Sequence, residues 1–278
     1  MNSSTLIGGH KAGLNTTMRT DKWWIGPLLS LSILTGFLIY ATWALIQGDH
    51  YWVADTGQGF GGYLSPFFSP VLLVDPSVPG AVPESHAWFG TFPSWWPSFI
   101  PASPAVLILM FPAMFRFTCY YYRKTYYRAF TGTPPGCSVG ALPQKNYRGE
   151  TRFLLVQNLH RYALYFAIIF VVILSYDAVQ AFFRDGKFGV GVGSIILTLN
   201  AIFLACYTFG CHSFRHLIGG STNKFSCSAA RYTAWKGCTK LNEKHMNWAW
   251  TSLFWVAGSD VYVRLVSSGV ITDYNTWG

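Results

Sequence analysis

Charged residues are scarce in this sequence. Only 11% of its 278 residues are Asp, Glu, Lys or Arg, whereas 51% are hydrophobic and 18% are aromatic. A soluble domain usually carries about 25% charged residues. Because the apolar residues also gather in long runs, the composition argues against a soluble globular protein and favours an integral membrane protein.

Lysine and arginine are missing from one long stretch. None lies between Lys22 and Arg116, and many of the others gather in the segments 123–152 and 224–244. Cytoplasmic loops of membrane proteins are enriched in Lys and Arg, so this clustering, rather than the net charge of +9 itself, indicates membrane topology. No nucleic-acid-binding motif is present, and we expect membrane lipid rather than nucleic acid as a partner.

The sequence also lacks signals of secretion and of disulfide bonding. The polar segment 1–22 is typical of a cytoplasmic tail rather than a cleavable signal peptide. None of the six Cys falls in a predicted outer loop, so structural disulfides are not expected. With no internal repeat or second domain visible, we predict a single transmembrane domain over residues 1–278.

The hydrophobic runs predict five transmembrane helices, each long enough for a hydrocarbon core about 30 Å thick. Their approximate bounds are 23–47, 101–122, 153–182, 189–217 and 245–266. The distribution of Lys and Arg then predicts a cytoplasmic amino terminus and an outer carboxyl terminus. We therefore expect an all-α, multi-pass membrane protein, built as a bundle of five transmembrane helices.

A long loop, from Gly48 to about Ser98, joins the first two predicted helices. It is rich in Gly, Pro and aromatic residues and has no Lys or Arg, so we place it on the extracytoplasmic side. Prolines interrupt its two apolar segments, 60–73 and 88–100, which predicts that they lie along the membrane interface or re-enter shallowly. A functional lid is the alternative, because loops of this length are often functional.

Ionisable and thiol side chains gather near the end of the fourth hydrophobic run, in the segment 208–216. His212 and His216 are four residues apart and would share one face of a helix. Cys211 would lie about 100° round from His212 on a continuous helix. Such groups inside a membrane cost free energy and indicate function by default.

Four predicted helices bring soft or imidazole ligands to a similar depth near the cytoplasmic side. The candidate metal ligands are Cys119, His160, Cys211, His212, His216 and His245. Thiolate together with imidazole suits iron, copper, zinc or an iron–sulfur cluster. The competing interpretation is structural: a membrane His commonly hydrogen-bonds a neighbouring helix, and a membrane Cys commonly fills apolar space.

Other polar residues leave further interpretations open. Arg161, Asp177 and Arg264 could be pathway charges of a small transporter or channel.

Two local structures are also predicted. Asp260 and Arg264 are four residues apart and predict an internal ion pair. The glycine pair at 219–220 predicts the end of a helix, and the segment 221–244 is expected to be a basic cytoplasmic loop.

Three segments resemble a known family. The motifs NLHRYALY at 158–165, CHSFRH at 211–216 and KHMNWAW at 244–250 resemble the membrane-anchor subunit of actinobacterial succinate dehydrogenase, respiratory complex II. The resemblance covers all five predicted helices. It implies a location in the bacterial inner (plasma) membrane. It also implies a flavoprotein partner that oxidises succinate in the tricarboxylic acid cycle and an iron–sulfur partner, with no catalytic residue for succinate on this chain.

The resemblance also implies cofactors. The class that this chain most resembles is free of haem and holds a Rieske-type [2Fe–2S] cluster in the membrane, with two Cys on one iron and two His on the other. Related anchors bind haem b through pairs of His, so a haem-binding anchor of a fumarate reductase or related quinone oxidoreductase remains the alternative. Electrons would pass from this centre to a quinone, for which menaquinone is expected.

The basic loops are expected to hold the soluble partner subunits, and the quinone needs an apolar slot with one or two hydrogen-bond donors. The residues predicted to bind the quinone are Arg116, Arg161, Tyr162 and Trp248.

Overall fold

The computed structural model describes residues 6–7, 10–11, 13–54, 62–141, 154–184, 186–220, 224, 226 and 228–277. These residues are mostly helical. The helices are α1 Ile25–Gln47, α2 Pro104–Ile108, α3 Met110–Thr118, α4 Tyr120–Phe130, α5 Leu154–Gln180, α6 Val192–Phe209, α7 His212–Gly219, α8 Ala229–Glu243 and α9 His245–Ser267, with a short 3₁₀-helix at Glu84–His86. Three antiparallel strand pairs complete the set: β1 Leu6–Ile7 with β2 His10–Lys11, β3 Trp52–Ala54 with β4 Gly62–Leu64, and β5 Phe183–Arg184 with β6 Lys187–Phe188.

In the described part of the chain, three helices are long and apolar enough to cross a membrane. They cover Ile25–Gln47, Asn158–Gln180 and Val192–Phe209. Long apolar helices therefore form where the first, third and fourth spans were predicted. The fifth predicted span, 245–266, coincides closely with α9, although α9 is not among these three.

The prediction of one continuous second span over 101–122 is wrong. Three helices replace it: helical hydrogen bonding is interrupted after Ile108, although Leu109 keeps helical φ and ψ, and the chain leaves helical geometry at Cys119. Pro112 explains the first break: it has no N–H to donate to the carbonyl of Ile108, and its ring crowds that carbonyl. Cys119 is extended, with φ −65° and ψ 133°, and neither Pro nor Gly accompanies it.

The fourth predicted span, 189–217, is also interrupted. Helix α6 ends at Phe209, and Cys211 is extended before α7 begins at His212. Gly210 lets α8 approach closely at this interruption, because a Cβ there would lie 3.2 Å from the backbone of Leu241. The side-chain amide of Asn242 donates to the Gly210 carbonyl at 2.7 Å, which satisfies an acceptor that the interruption leaves without a helical partner.

The expected basic loop at 221–244 is largely a helix, which corrects the sequence prediction. Helix α8 begins after Ser228, whose hydroxyl accepts from the backbone N–H of Arg231 at 3.3 Å. This is an ordinary amino-terminal cap. The predicted helix end at 219–220 is confirmed, because α7 ends at Gly219.

The chain divides into two compact units, Met1–Tyr40 with Arg116–His160, and Ala41–Phe115 with Arg161–Gly278. In the first unit, the amino-terminal segment pairs with the segment after α4. The amide of Asn15 donates to the carbonyl of Gly140 at 3.0 Å, and the amide of Gly140 donates to the carbonyl of Thr16 at 2.7 Å. The hydroxyl of Thr17 adds a bond to the carbonyl of Ser138 at 2.7 Å.

In the second unit, the first of the two apolar loop segments packs inward, whereas Trp88, Phe89, Trp95 and Phe99 of the second are exposed and its interfacial position stays a prediction. Phe67, Phe68 and Val71 are buried, in the first of the apolar segments predicted to be interfacial. Tyr63 is completely buried and donates from its hydroxyl to Asp273 at 2.7 Å. The loop is thereby fixed to the carboxyl-terminal segment at one end of this unit, here called the loop end, where α5 finishes and α6 starts.

Helix α9 carries polar residues that are shielded from the surface. Ser252, Ser259 and Asp260 are buried, and Asp260 accepts a hydrogen bond from the hydroxyl of Ser65 in the loop. The predicted pair of Asp260 with Arg264 is confirmed, with Nε and Oδ2 3.7 Å apart. These buried polar residues lower the mean hydropathy of α9 without exposing charge.

Candidate functional site

The segment 208–216 forms the junction between α6 and α7. The rings of His212 and His216 lie 4.6 Å apart on α7, so the predicted shared face is confirmed. Both side chains are exposed in this chain. Cys211 is buried and extended, and its Sγ accepts from the amide of Ser213 at 3.4 Å, so its expected position on a continuous helix with His212 is wrong.

His245 opens α9 and is buried against α6. Its ring stacks on Tyr207 with centroids 5.0 Å apart and an angle of 15°. Tyr207 also packs edge-on against Phe115 at 5.3 Å. This environment is an aromatic core in which the imidazole is a packing partner.

In the other unit, His160 near the start of α5 lies beside the break between α3 and α4. Its Nδ1 is 2.8 Å from the hydroxyl oxygen of Thr118, the residue before Cys119. His160 and Cys119 are both buried. A thiol and an imidazole are therefore brought to the same region of this unit.

Within the residues that the structure describes, no three His, Cys, Asp or Glu side chains are grouped so as to hold a metal ion. A Rieske-type cluster needs two Cys and two His as ligands. No such set of four ligands is grouped among the described side chains, and His212 and His216 are exposed in the chain taken alone. The cluster expected from the resemblance, and the alternative haem b, therefore stay predictions.

The four residues predicted to bind the quinone differ in surroundings. Arg116 donates to the hydroxyl of Tyr122 at 2.7 Å. Arg161 and Tyr162 are exposed side chains on α5. Trp248 on α9 stacks on Phe203 of α6, with centroids 6.4 Å apart. None of the four lines the cavity described next, and their role stays a prediction.

A cavity of about 370 Å³ lies at the loop end, between α5 and the long loop. Its walls combine aliphatic, aromatic and polar side chains. It is lined by Trp52, Gly62, Leu64, Ser69, Pro70, Val71, Val82, His86, Trp88, Val172, Ile173, Tyr176, Asp177 and Gln180. The volume falls in the range of small-molecule sites, about 300–1,000 Å³.

Polar groups occupy defined positions in this loop-end cavity. The hydroxyl of Ser69 donates to the carboxylate of Asp177. The ring of His86 tilts against the ring of Trp52, with centroids 5.3 Å apart. Burial lowers the pKa of His86 and favours its neutral form at pH 7, which has one donor and one acceptor nitrogen.

The comparisons with known proteins identify the chain's relatives. The family model for actinobacterial succinate dehydrogenase subunit SdhC matches residues 25–269. The chain belongs to this family. Among solved structures it is similar to a chain of the "Mycobacterium smegmatis Sdh1 complex in the apo form", with 41% identity, a TM-score of 0.82, and coverage of 97% of this chain and 96% of that one. No curated protein matches.

Membership of the SdhC family identifies the chain as a membrane anchor in a succinate dehydrogenase. The matched residues include every candidate ligand, every predicted quinone residue and the whole lining of the loop-end cavity. The sequence contained a partial signal for this cavity. Ile173, Asp177 and Gln180 recur at helical spacing, and a charged residue in a membrane helix is a functional candidate.

Proposed function

We propose that this chain is the membrane-anchor subunit of a succinate:quinone oxidoreductase, which holds a flavoprotein and an iron–sulfur subunit at the membrane and delivers electrons to a quinone. The match to the SdhC family model over residues 25–269 carries this proposal. The similarity to a chain of the Sdh1 complex along nearly the whole length supports it. Succinate oxidation itself is assigned to the partner flavoprotein.

The proposed topology has five crossings and a cytoplasmic amino terminus. The three apolar helices supply three of them. Helix α9 has 23 residues and is about 34 Å long at roughly 1.5 Å per residue, which exceeds a core of about 30 Å. Because Ser252, Ser259 and Asp260 are buried, α9 can cross despite their polarity. The segment 101–122, which contains α2 and α3, supplies the remaining crossing.

The soluble subunits are proposed to dock on α8, which the predicted topology places on the cytoplasmic side. Tyr232, Lys236 and Lys240 are exposed and lie at helical spacing along this helix. The Lys236 ammonium lies 5.1 Å from the centre of the Tyr232 ring. On α7, Arg215 lies 4.6 Å over the ring of Trp235, a cation–π contact that fixes α7 to α8.

An iron centre remains part of the proposal, with the sequence-derived ligands Cys119, Cys211 and two His as first candidates. Such a centre would supply one-electron transfer, and imidazole ligation would raise its potential above that of an all-Cys cluster. Haem b held by a pair of His is the second candidate. No cluster of ligands in the described residues supports either the [2Fe–2S] centre or haem b. The iron and haem content of the purified complex must therefore be measured directly.

Purification of the tagged chain from native membranes tests the proposal. We expect the flavoprotein and iron–sulfur subunits in equal amounts, together with succinate-dependent quinone reduction. Iron, acid-labile sulfide and haem per complex then distinguish the two centres: two irons beyond those of the soluble subunits indicate the cluster, and a pyridine haemochrome signal indicates haem b. Purification of the chain without a flavoprotein would contradict the proposed function.

A further inference from the structure

Two exposed imidazoles lie one helical turn apart on α7. His212 is the first residue of this helix and His216 is the fifth, and both side chains are exposed in the chain taken alone. Their ring centres are 4.6 Å apart, with the ring planes at 73°. Within the described part of the chain neither ring takes part in a hydrogen bond, so their nitrogens are open to a ligand from outside the chain.

The backbone of α7 holds the two histidines in register. The carbonyl of Cys211 accepts from the amide of Arg215 at 3.0 Å, and the carbonyl of His216 accepts from the amide of Gly220 at 2.7 Å. The Arg215 guanidinium lies 4.6 Å over the ring of Trp235, which fixes α7 to α8. Ligands carried on a preformed helical turn lose little conformational freedom on binding, which favours affinity.

The distance between the two rings matches chelation of a metal ion. Zinc bonds imidazole nitrogen at about 2.0–2.1 Å, which places the centres of two imidazoles on one ion roughly 4.5–5 Å apart. The separation of His212 and His216 is 4.6 Å. The rings meet edge-on, and because both are exposed they can turn to direct one nitrogen each at an ion. Imidazole suits zinc, copper and nickel, whereas magnesium and calcium prefer oxygen ligands.

The surroundings decide which nitrogen binds and how tightly. A Cβ on Gly220 would lie 3.4 Å from Nδ1 of His216, so this nitrogen faces the end of the helix and Nε2 is left for an ion. The carboxyl end of a helix carries partial negative charge, which favours a cation beside His216. Arg215 repels a cation, and among the residues that the structure describes no third His, Cys, Asp or Glu joins the pair. We therefore expect binding that exchanges with free metal.

From this geometry, we propose that His212 and His216 form an exchangeable site for one divalent transition-metal ion of the zinc class. Water fills the open coordination positions, as it does where zinc has fewer than four protein ligands. The site is distinct from the iron centre of the proposed complex, for which the buried imidazoles of His160 and His245 remain. It uses neither the partner subunits nor the electron acceptor, and so goes beyond the proposed function.

Zinc binding to the purified intact complex tests this site. The complex is washed with EDTA and dialysed to equilibrium against Zn²⁺ at a free concentration set by a metal buffer, and zinc and iron are then measured by elemental mass spectrometry. We expect the unmodified complex to hold one more zinc per copy of this chain than His212→Ala or His216→Ala, with equal iron in all three. Equal zinc in all three complexes, or loss of iron in either variant, would overturn the inference.

A spacing variant separates chelation from the mere number of histidines. His216→Ala combined with Leu217→His retains two histidines on α7, but at five residues apart they lie about 140° apart round the helix. Leu217 is 39% exposed, so the new imidazole does not enter a packed core. We expect this variant to need at least tenfold more free Zn²⁺ for half-saturation than the unmodified complex. The same half-saturation in both would overturn the inference.

Failure of this inference can be separated from failure of the proposed function. Metal content and half-saturation are measured without turnover, so they are valid whether or not the complex reduces quinone. If the complex reduces quinone with succinate but binds no zinc at His212 and His216, only the inference fails. If it binds zinc there but has no succinate-dependent quinone reduction, only the proposed function fails. The flavin content of each purified complex confirms that it has assembled.

Discussion

Arg264 and Asp49 form an ion pair that ties helix α9 to the start of the long loop. The Arg264 Nη1 lies 2.6 Å from the Asp49 Oδ1 and also donates to the Asp49 carbonyl at 2.9 Å. The same guanidinium lies 3.7 Å from Asp260 and 4.9 Å over the ring of Trp43. One side chain therefore connects α1, the loop and α9 at the loop end.

Loss of this guanidinium should destabilise the protein. Arg264→Leu leaves Asp260 buried without its ion partner, and breaking a buried pair in this way costs about 3–5 kcal/mol. We expect a clearly lower thermal unfolding temperature of the purified complex. Lys187→Leu at the same end is the control, because its side chain is exposed. Equal unfolding temperatures for the two variants would show that the pair is not structural.

A charge reversal on α8 tests the proposed docking surface. The double variant Lys236→Glu, Lys240→Glu replaces two exposed positive charges with negative ones. We expect at least a fivefold loss of co-purified flavoprotein, while the chain itself remains in the membrane. Lys187→Glu, remote from α8 in the proposed topology, should retain normal assembly. Full recovery of the complex from the double variant would exclude α8 as the docking surface.

The close approach of α8 to the end of α6 at Gly210 predicts that a larger residue at this position destabilises the protein. A Cβ on Gly210 would lie 2.7 Å from the Cys206 carbonyl oxygen and 3.2 Å from the Leu241 backbone. Gly210→Ala should therefore destabilise by about 1–3 kcal/mol through overpacking. Gly237→Ala on α8 meets nothing within 4 Å and should be neutral or stabilising by up to about 1 kcal/mol. Thermal unfolding in detergent compares the two, and the reverse order would contradict this packing.

The two histidines on α7 test the proposed iron centre. Because His212 and His216 are exposed, the double substitution to Ala should preserve folding and assembly. If either imidazole ligates iron, the variant complex loses quinone reduction and the low-temperature EPR signal of a His-ligated cluster, while dye reduction by succinate persists. An unchanged EPR spectrum together with unchanged quinone reduction would remove both residues from the ligand set.

The predicted quinone residues can be tested separately from the loop-end cavity. Arg161→Leu removes an exposed guanidinium from α5 and should raise the quinone KM several-fold without affecting succinate oxidation by a dye. Lys187→Leu, which lies outside α8 and is exposed, is a control for loss of one basic side chain. An unchanged KM in Arg161→Leu would exclude this residue from quinone binding.

The hydrophobic runs were sufficient to locate the long helices. A run of about 20 apolar residues is long enough to cross a bilayer, and there a helix satisfies its backbone hydrogen bonds internally. Helix interruptions were harder to predict. Pro112 gave a readable signal at Ile108, but Cys119 and Cys211 are extended at positions where local propensity alone predicts continued helix. Beside Cys211, the free Gly210 carbonyl accepts a tertiary bond from Asn242, which is 32 residues distant in the chain and gives no local signal.

The candidate site was predictable only in part for the same reason. Spacing alone placed His212 and His216 on one face, and the structure confirms it. The loop-end cavity depends on how the long loop folds onto α5, which brings Ser69 to Asp177 across 108 residues. Helical periodicity contains no information on such a contact, so only the α5 side of the cavity could be anticipated.

The central claim is that this chain couples succinate oxidation to a membrane quinone. The most direct measurement compares succinate-to-quinone and succinate-to-dye activities in membranes and in the soluble fraction, with and without this chain. Without it, the account predicts that quinone reduction is lost from the membranes and that any remaining dye reduction moves to the soluble fraction. Undiminished succinate-dependent quinone reduction in membranes that lack the chain, with no second succinate dehydrogenase present, would contradict it.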